Sequence, residues 1–256
     1  IQRKKMNLTK RMKISLAQLL DELDKANLKV LFDKYGMNSY FTNVEEIKNI
    51  VLDSTNLTEL IKEIVEQKQT FRKKISPKEP YDNRFIDFEK CLFLDGYKIQ
   101  NNSIISIEPT IDGVIAFEDE LTNELINSTF LKKDEVKNLI NESAEAFKNN
   151  DFNQCLSKAR IALETIVRTI AIDKYNNSND SWGNALSKLK TESFIMQKEE
   201  ELMGKLYGFI SDGSHIPLGF TSEEYARYSR NLVMSKCYYI IKKYKQQFQG
   251  GIYADF

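Results

Sequence analysis

The chain contains one imidazole, His215, set in the polar stretch Ser211-Asp212-Gly213-Ser214-His215-Ile216-Pro217. Histidine alone has an unperturbed pKa that lets it give and take protons near neutral pH, so His215 is the natural general acid or base of any site here. The same position allows a plainer role, a cation resting on the C-terminal carbonyls of the preceding helix. Ser211, Asp212 and His215 do not make a hydrolase triad, because no strand-turn-helix nucleophile elbow surrounds the serine. Glu164 and Arg160 stand one helical turn apart and read as an i,i+4 ion pair. Lys242, Lys243 and Lys245 alternate with Tyr238, Tyr239 and Tyr244, giving a basic, aromatic helix that suits phosphates and stacked bases or simple packing. Arg3, Lys4, Lys5, Lys10, Arg11 and Lys13 fall within a stretch free of acids, an arm able to contact a phosphate backbone.

Other chemistries are missing their parts. Three scattered cysteines (Cys91, Cys155, Cys237) and one histidine supply neither a zinc site nor a disulfide framework, and they predict reduced thiols in a cytoplasmic protein. No glycine-rich phosphate loop or paired-carboxylate metal signature occurs, so neither cofactor nor metal is expected. No apolar run approaches the roughly 18–20 residues of a membrane span, and no apolar segment follows the basic N-terminus as a secretory signal requires.

Positioning these residues falls to helices. Of 256 residues 41% are apolar, with ten Gly and four Pro, which predicts a helix-rich chain with a real core. The 37 basic and 37 acidic side chains cancel overall but segregate: residues 1–75 carry 15 basic and 10 acidic groups, and residues 76–130 carry 4 and 11. Apolar stripes at Leu16, Leu19, Leu20 and Leu23, at Leu28, Leu31 and Phe32, and at Leu57, Leu60, Ile61 and Ile64 predict a small helical module over 1–75. Gly36 suits a left-handed C-cap, and Thr42-Asn43-Val44-Glu45 a capping box.

Ser76-Pro77-Lys78-Glu79-Pro80 breaks the pattern. An acidic connector, 76–131, should hold a helix from Arg84 to Asp95 and a β-hairpin over 97–107 around the polar turn Gln100-Asn101-Asn102-Ser103. From 132 to 256 the stripes at Val136, Leu139, Ile140, Ala144 and Phe147 and at Leu156, Ala159, Leu163, Ile166 and Ile170 predict an antiparallel helical bundle. Asp151 and Thr221 are its clearest N-caps.

Residues 132–247 resemble the HEPN superfamily of helical bundles. The resemblance is carried by Ala144-Phe147-Lys148-Asn149-Asn150-Asp151-Phe152, by Cys155-Leu156-Ser157-Lys158-Ala159-Arg160-Ile161-Ala162-Leu163-Glu164, and by the loop holding His215 before the last helix. Residues 14–130 are more loosely similar to the N-terminal regions of abortive-infection proteins of bacterial defence, through Phe88-Glu89-Lys90 and Leu94-Asp95-Gly96-Tyr97. This implies a mostly α protein with a small N-terminal helical module, a short β-hairpin and a C-terminal antiparallel HEPN-like bundle. It also implies a protein that engages RNA or another nucleic acid, through metal-independent ribonuclease chemistry in active members.

Such cleavage needs an imidazole and a cation to stabilise the phosphorane charge. Here the positions of the family's motif arginine hold Phe209, Ile210 and Ser211, so the cation would come from Arg160, Arg168, Arg227 or Arg230. The resemblance therefore assigns His215, Arg160, Arg227 and Arg230 as candidate catalytic residues. Lys4, Lys5, Arg11, Lys242 and Lys243 are the candidate nucleic-acid contacts. The alternative is a non-catalytic protein-interaction or dimerisation module of a multi-subunit defence complex. The apolar faces of the bundle predict a homodimer in either case, as HEPN-like domains commonly form.

Overall fold

A computed structural model describes residues 6–55, 57–107, 117–178, 181–211, 216 and 219–250. It is mostly α, with twelve helices and one antiparallel hairpin among the described residues. By contacts the chain divides into two units, Ile1–Ala116 and Phe117–Phe256. No helix among the described residues is long and apolar enough to cross a membrane.

The first unit holds α1 (Lys10–Asp21), α2 (Lys25–Lys34), α3 (Val44–Asp53), α4 (Leu57–Glu66), α5 (Lys68–Lys73), α6 (Glu79–Leu94), β1 (Tyr97–Gln100) and β2 (Ser103–Ser106). The amphipathic stripe of α1 buries Met12, Leu16, Leu19 and Leu20 against α3 and α6. The start of α1 is tied twice. Thr9 caps Met12 N–H, and Asp95 accepts from the Thr9 amide at 2.7 Å. Gly36 takes φ +66°, and the Met37 amide reaches back to Phe32 O at 2.9 Å, so α2 ends in a Schellman turn.

Two expectations shift by a few residues. The N-cap of α3 is Asn43, whose side chain accepts from Glu46 N–H. Glu46 in turn accepts from the Thr42 amide at 2.5 Å, so the reciprocal pair spans Thr42 to Glu46. α6 begins at Glu79 rather than Arg84, because Pro80 occupies its first turn, where the missing N–H costs no hydrogen bond. The hairpin forms with a tighter turn than expected, pairing Tyr97 with Ser106 and Gln100 with Ser103, so that both of these outer turn residues belong to the strands. Asn101 (φ 50°) and Asn102 (φ 57°) make the left-handed two-residue turn that matches strand twist.

The second unit holds α7 (Phe117–Ile126), α8 (Lys133–Lys148), α9 (Phe152–Tyr175), α10 (Trp182–Thr191), α11 (Gln197–Ser211) and α12 (Ser222–Phe248). α9 is the hub, packing against α8, α10, α11 and α12. Its small residues Ala159, Ala162 and Ala171 are fully buried, which lets neighbours close in on several sides. Asn150 (φ 60°) turns the chain between α8 and α9, and Asp151 caps α9 by accepting from the Gln154 amide. Thr221 and Glu224 form a complete capping box at the head of α12.

Candidate functional site

Arg230 is the deepest of the candidate residues. It projects from α12 into the second unit with 2% of its surface exposed. Burial of an unpaired guanidinium would be prohibitive, and three partners meet it. Nη1 pairs with Glu118 Oε2 at 2.9 Å, Nε donates to Ser143 Oγ at 3.1 Å, and Nη2 donates to the Ile140 carbonyl at 3.3 Å. Ser143 passes the chain on, donating to the Cys155 carbonyl at 2.8 Å. One side chain thus joins α7, α8, α9 and α12. Its neighbour Ser229 is fully buried, with a hydroxyl that has no hydrogen-bond partner among the described residues. Arg227, one turn earlier, is 8% exposed and buried as well.

Arg160 lies elsewhere, on the face of α9 turned to α10 and α11. Its guanidinium carbon sits 5.2 Å from the centre of the Tyr207 ring. Tyr207 stacks nearly parallel on Trp182, with centroids 4.6 Å apart. The Tyr207 hydroxyl donates to Glu164 Oε2 at 3.2 Å, and Arg168 holds Glu164 Oε1 at 2.8 Å. Burial and the charge of Glu164 raise the Tyr207 pKa above its usual value, so the phenol stays protonated. All five side chains are partly exposed. Trp182 and Tyr207 were not singled out by sequence reading; a tryptophan beginning a helix opposite a basic turn of α9 was the available signal.

The lysines of α12 are engaged within the chain. Lys242 and Lys245 share Glu124 at 2.8 and 2.6 Å, and Lys243 pairs with Glu199 at 3.0 Å. Tyr238 and Tyr239 hydrogen-bond Glu120 and Glu199. The basic, aromatic look of α12 in the sequence therefore becomes an alternation of cations with acids from α7 and α11. Arg11 lies half-buried in the first turn of α1. His215, Lys4 and Lys5 lie outside the described residues.

A cavity of about 280 Å³ opens where the first turns of α9 and α12 meet, lined by Asn150, Phe152, Leu156, Ile216, Tyr225 and Ala226. A shallower groove of about 530 Å³ lies in the first unit between the end of α2 and α3, with Tyr35, Tyr40, Glu46, Asn49 and Asp53 on its walls. No group of three or more potential metal ligands occurs among the described residues. Arg230 and Arg160 are therefore held by separate sets of partners: Arg230 in the core, Arg160 on an aromatic pair. The chain matches no known protein family, no curated protein and no solved structure.

Proposed function

We propose that this chain is a non-catalytic interaction module of an abortive-infection type of bacterial defence system, built on a HEPN-like helical bundle. The observation that carries the reading is the state of Arg230. A guanidinium that stabilises a phosphorane must face substrate, and this one spends its donors on Glu118, Ser143 and Ile140 with 2% of the residue exposed. The pairing of Lys242 and Lys243 with Glu124 and Glu199 supports the same reading, since a phosphate would have to displace a carboxylate at each.

A second reading, engagement of single-stranded RNA without cleavage, is favoured by the Arg160–Tyr207–Trp182 stack. A partly exposed indole stacked on a tyrosine that also carries the Arg160 guanidinium is a surface on which a base can stack.

The test is direct. The full chain is incubated with a mixed RNA pool, beside a His215→Ala variant, and both are titrated with fluorescent single-stranded RNA. The expected result is an uncut pool for both proteins. Cleavage by the wild type that His215→Ala abolishes would overturn the proposal. RNA binding lost in Trp182→Ala with the pool uncut would establish the second reading instead.

A further inference from the structure

Tyr40 is 87% exposed, although the short segment that carries it is fixed at both ends. Met37 and Phe41 are buried, and the Phe41 ring meets Phe32 edge-on with centroids 5.3 Å apart. The Tyr40 amide donates to Asn38 Oδ1 at 2.9 Å, so the backbone behind the ring is held as well. The ring stands on the wall of the groove of about 530 Å³ between α2 and α3. Glu46 and Asp53 share that wall, seven residues and two helical turns apart on one face of α3. Both are exposed, and neither pairs with a cation among the described residues. A hydrogen bond from the Thr42 amide holds the Glu46 carboxyl below its usual value, so it is ionised at neutral pH. The neighbouring lysines are spent elsewhere: Lys34 on Glu63 at 2.7 Å, Lys48 on Glu45, and Lys13 on the Leu52 carbonyl at 3.3 Å. The groove thus joins an aromatic face to two carboxylates, and no described residue on its walls is basic.

A basic segment enters the fold beside it. Thr55 lies on the groove wall, and three residues later Thr58 accepts from the Met6 amide at 3.0 Å. Three peptide steps separate Thr55 from Thr58 by at most about 11 Å. The Asn7 and Thr9 amides are pinned in turn by the Tyr97 hydroxyl at 2.8 Å and by Asp95 at 2.7 Å. Arg3, Lys4 and Lys5 immediately precede this fixed point. Three extended residues span about 10 Å before side-chain length is added, enough to bring their charges to the Asp53 end of the groove. A single exposed ion pair contributes little, and so does one cation on an exposed ring. Tethering changes the balance. A segment joined to its site by a few residues has an effective concentration on the order of millimolar, so several weak contacts together suffice.

We propose that the occupant of this groove is the chain's own basic arm: Arg3, Lys4 and Lys5 fold back along α3, pairing with Glu46 and Asp53 and resting a cation on the Tyr40 ring. The contact is autoinhibitory. While it is made, the three bases are withheld from any phosphate and the groove from any other basic segment. Salt weakens it, because exposed charges are screened beyond a Debye length of about 10 Å at 0.1 M. The contact lies within the first unit, goes beyond the interaction-module reading and does not depend on it.

Two measurements on the full chain test it. A carbodiimide joins amines to carboxylates in contact without a spacer, and peptide mapping then locates the bonds. The expected products link Lys4 or Lys5 to Glu46 or Asp53 within one chain, as an equal mixture of ordinary and isotope-labelled protein shows, and they disappear in about 0.5 M salt. Links from the arm only to other acids, or only between differently labelled chains, overturn the proposal. The second measurement is the initial rate at which trypsin cuts after Arg3, Lys4 and Lys5, since proteolysis follows the population of the undocked arm. Glu46→Gln/Asp53→Asn should raise that rate roughly tenfold with unchanged far-ultraviolet dichroism, the glutamine still accepting from the Thr42 amide. Tyr40→Ala leaves every charge in place and should raise it roughly threefold. An arm cut as fast in the wild type as in either variant overturns the proposal. Its failure leaves the non-catalytic reading standing on the RNA assay, which does not involve the groove.

Discussion

Arg230→Met isolates the cost of the buried charge in the second unit. Methionine keeps most of the volume of the side chain and removes every donor. Three acceptors then lose a partner: Glu118 Oε2, Ser143 Oγ and the Ile140 carbonyl. Removing one member of a buried ion pair costs about 3–5 kcal/mol, because the remaining charge loses its opposite in the core. Glu118 keeps 14% of its side-chain exposure, so water can reach it, which sets the expected loss near the lower end, about 3 kcal/mol. Replacing both charges, in Arg230→Met/Glu118→Leu, removes the acid as well. The double variant should recover about 2 kcal/mol of that loss, the coupling a double-mutant cycle reads for residues in one network.

The chain has a single tryptophan, Trp182, seated in the second unit, so its fluorescence during urea unfolding follows that unit alone. A loss below about 1 kcal/mol, or one equal in the single and double variants, would refute the reasoning and return Arg230 to the list of groups free for other work.

Three further outcomes are expected. Burial pushes the Cys237 thiol up to about 12 and raises Cys155 as well, and all three cysteines are buried. Iodoacetamide at mild alkaline pH should therefore label no thiol until the protein unfolds; rapid alkylation of the native chain would contradict this. Thr221→Ala removes the α12 capping box and should cost about 1 kcal/mol, with faster amide exchange confined to the first turn of α12. Burial works to raise the Glu124 pKa, but hydrogen bonds from Lys242 and Lys245 outweigh it and hold the carboxyl below its usual 4.5. A carboxylate depressed in the folded state contributes stability that is present above the unfolded value and is lost as pH falls through the folded one. Stability should therefore drop on acidification below about pH 4.5, and Glu124→Gln should flatten that drop; an unchanged acid profile would count against the pairing.

Most of the secondary structure was legible because its signals are local. Thr221 and Glu224 lie three residues apart, Asp151 sits one residue before its helix, and the Asn101-Asn102 turn lies between alternating strands. Pro80 misled the placement of α6, since proline reads as a breaker although the first turn of a helix tolerates it. The fate of the site residues was not local. Ser143 and Arg230 are 87 residues apart, and Lys242 is 118 from Glu124. Nothing in the spacing around Arg230 distinguishes a guanidinium turned to substrate from one turned to the core. The charge segregation of the sequence was real, yet in the fold acids of α7 meet lysines of α12, so a patch basic in sequence is mixed in space.

The Arg230 network also bears on the order in which the chain is made. Glu118, Ile140 and Ser143 leave the ribosome long before Arg230, while the α8–α9 corner needs only residues close in sequence. Local contacts of that kind close quickly, whereas the last helix must arrive before the acid and hydroxyl of the core find their partner. Until then the nascent second unit holds an apolar hub beside a carboxylate still without its guanidinium, a state with every reason to stay loose. Commitment to the native bundle should coincide with docking of α12, so that a ribosome-stalled chain exposing residues up to 215 remains protease-sensitive and one exposing the whole of α12 does not.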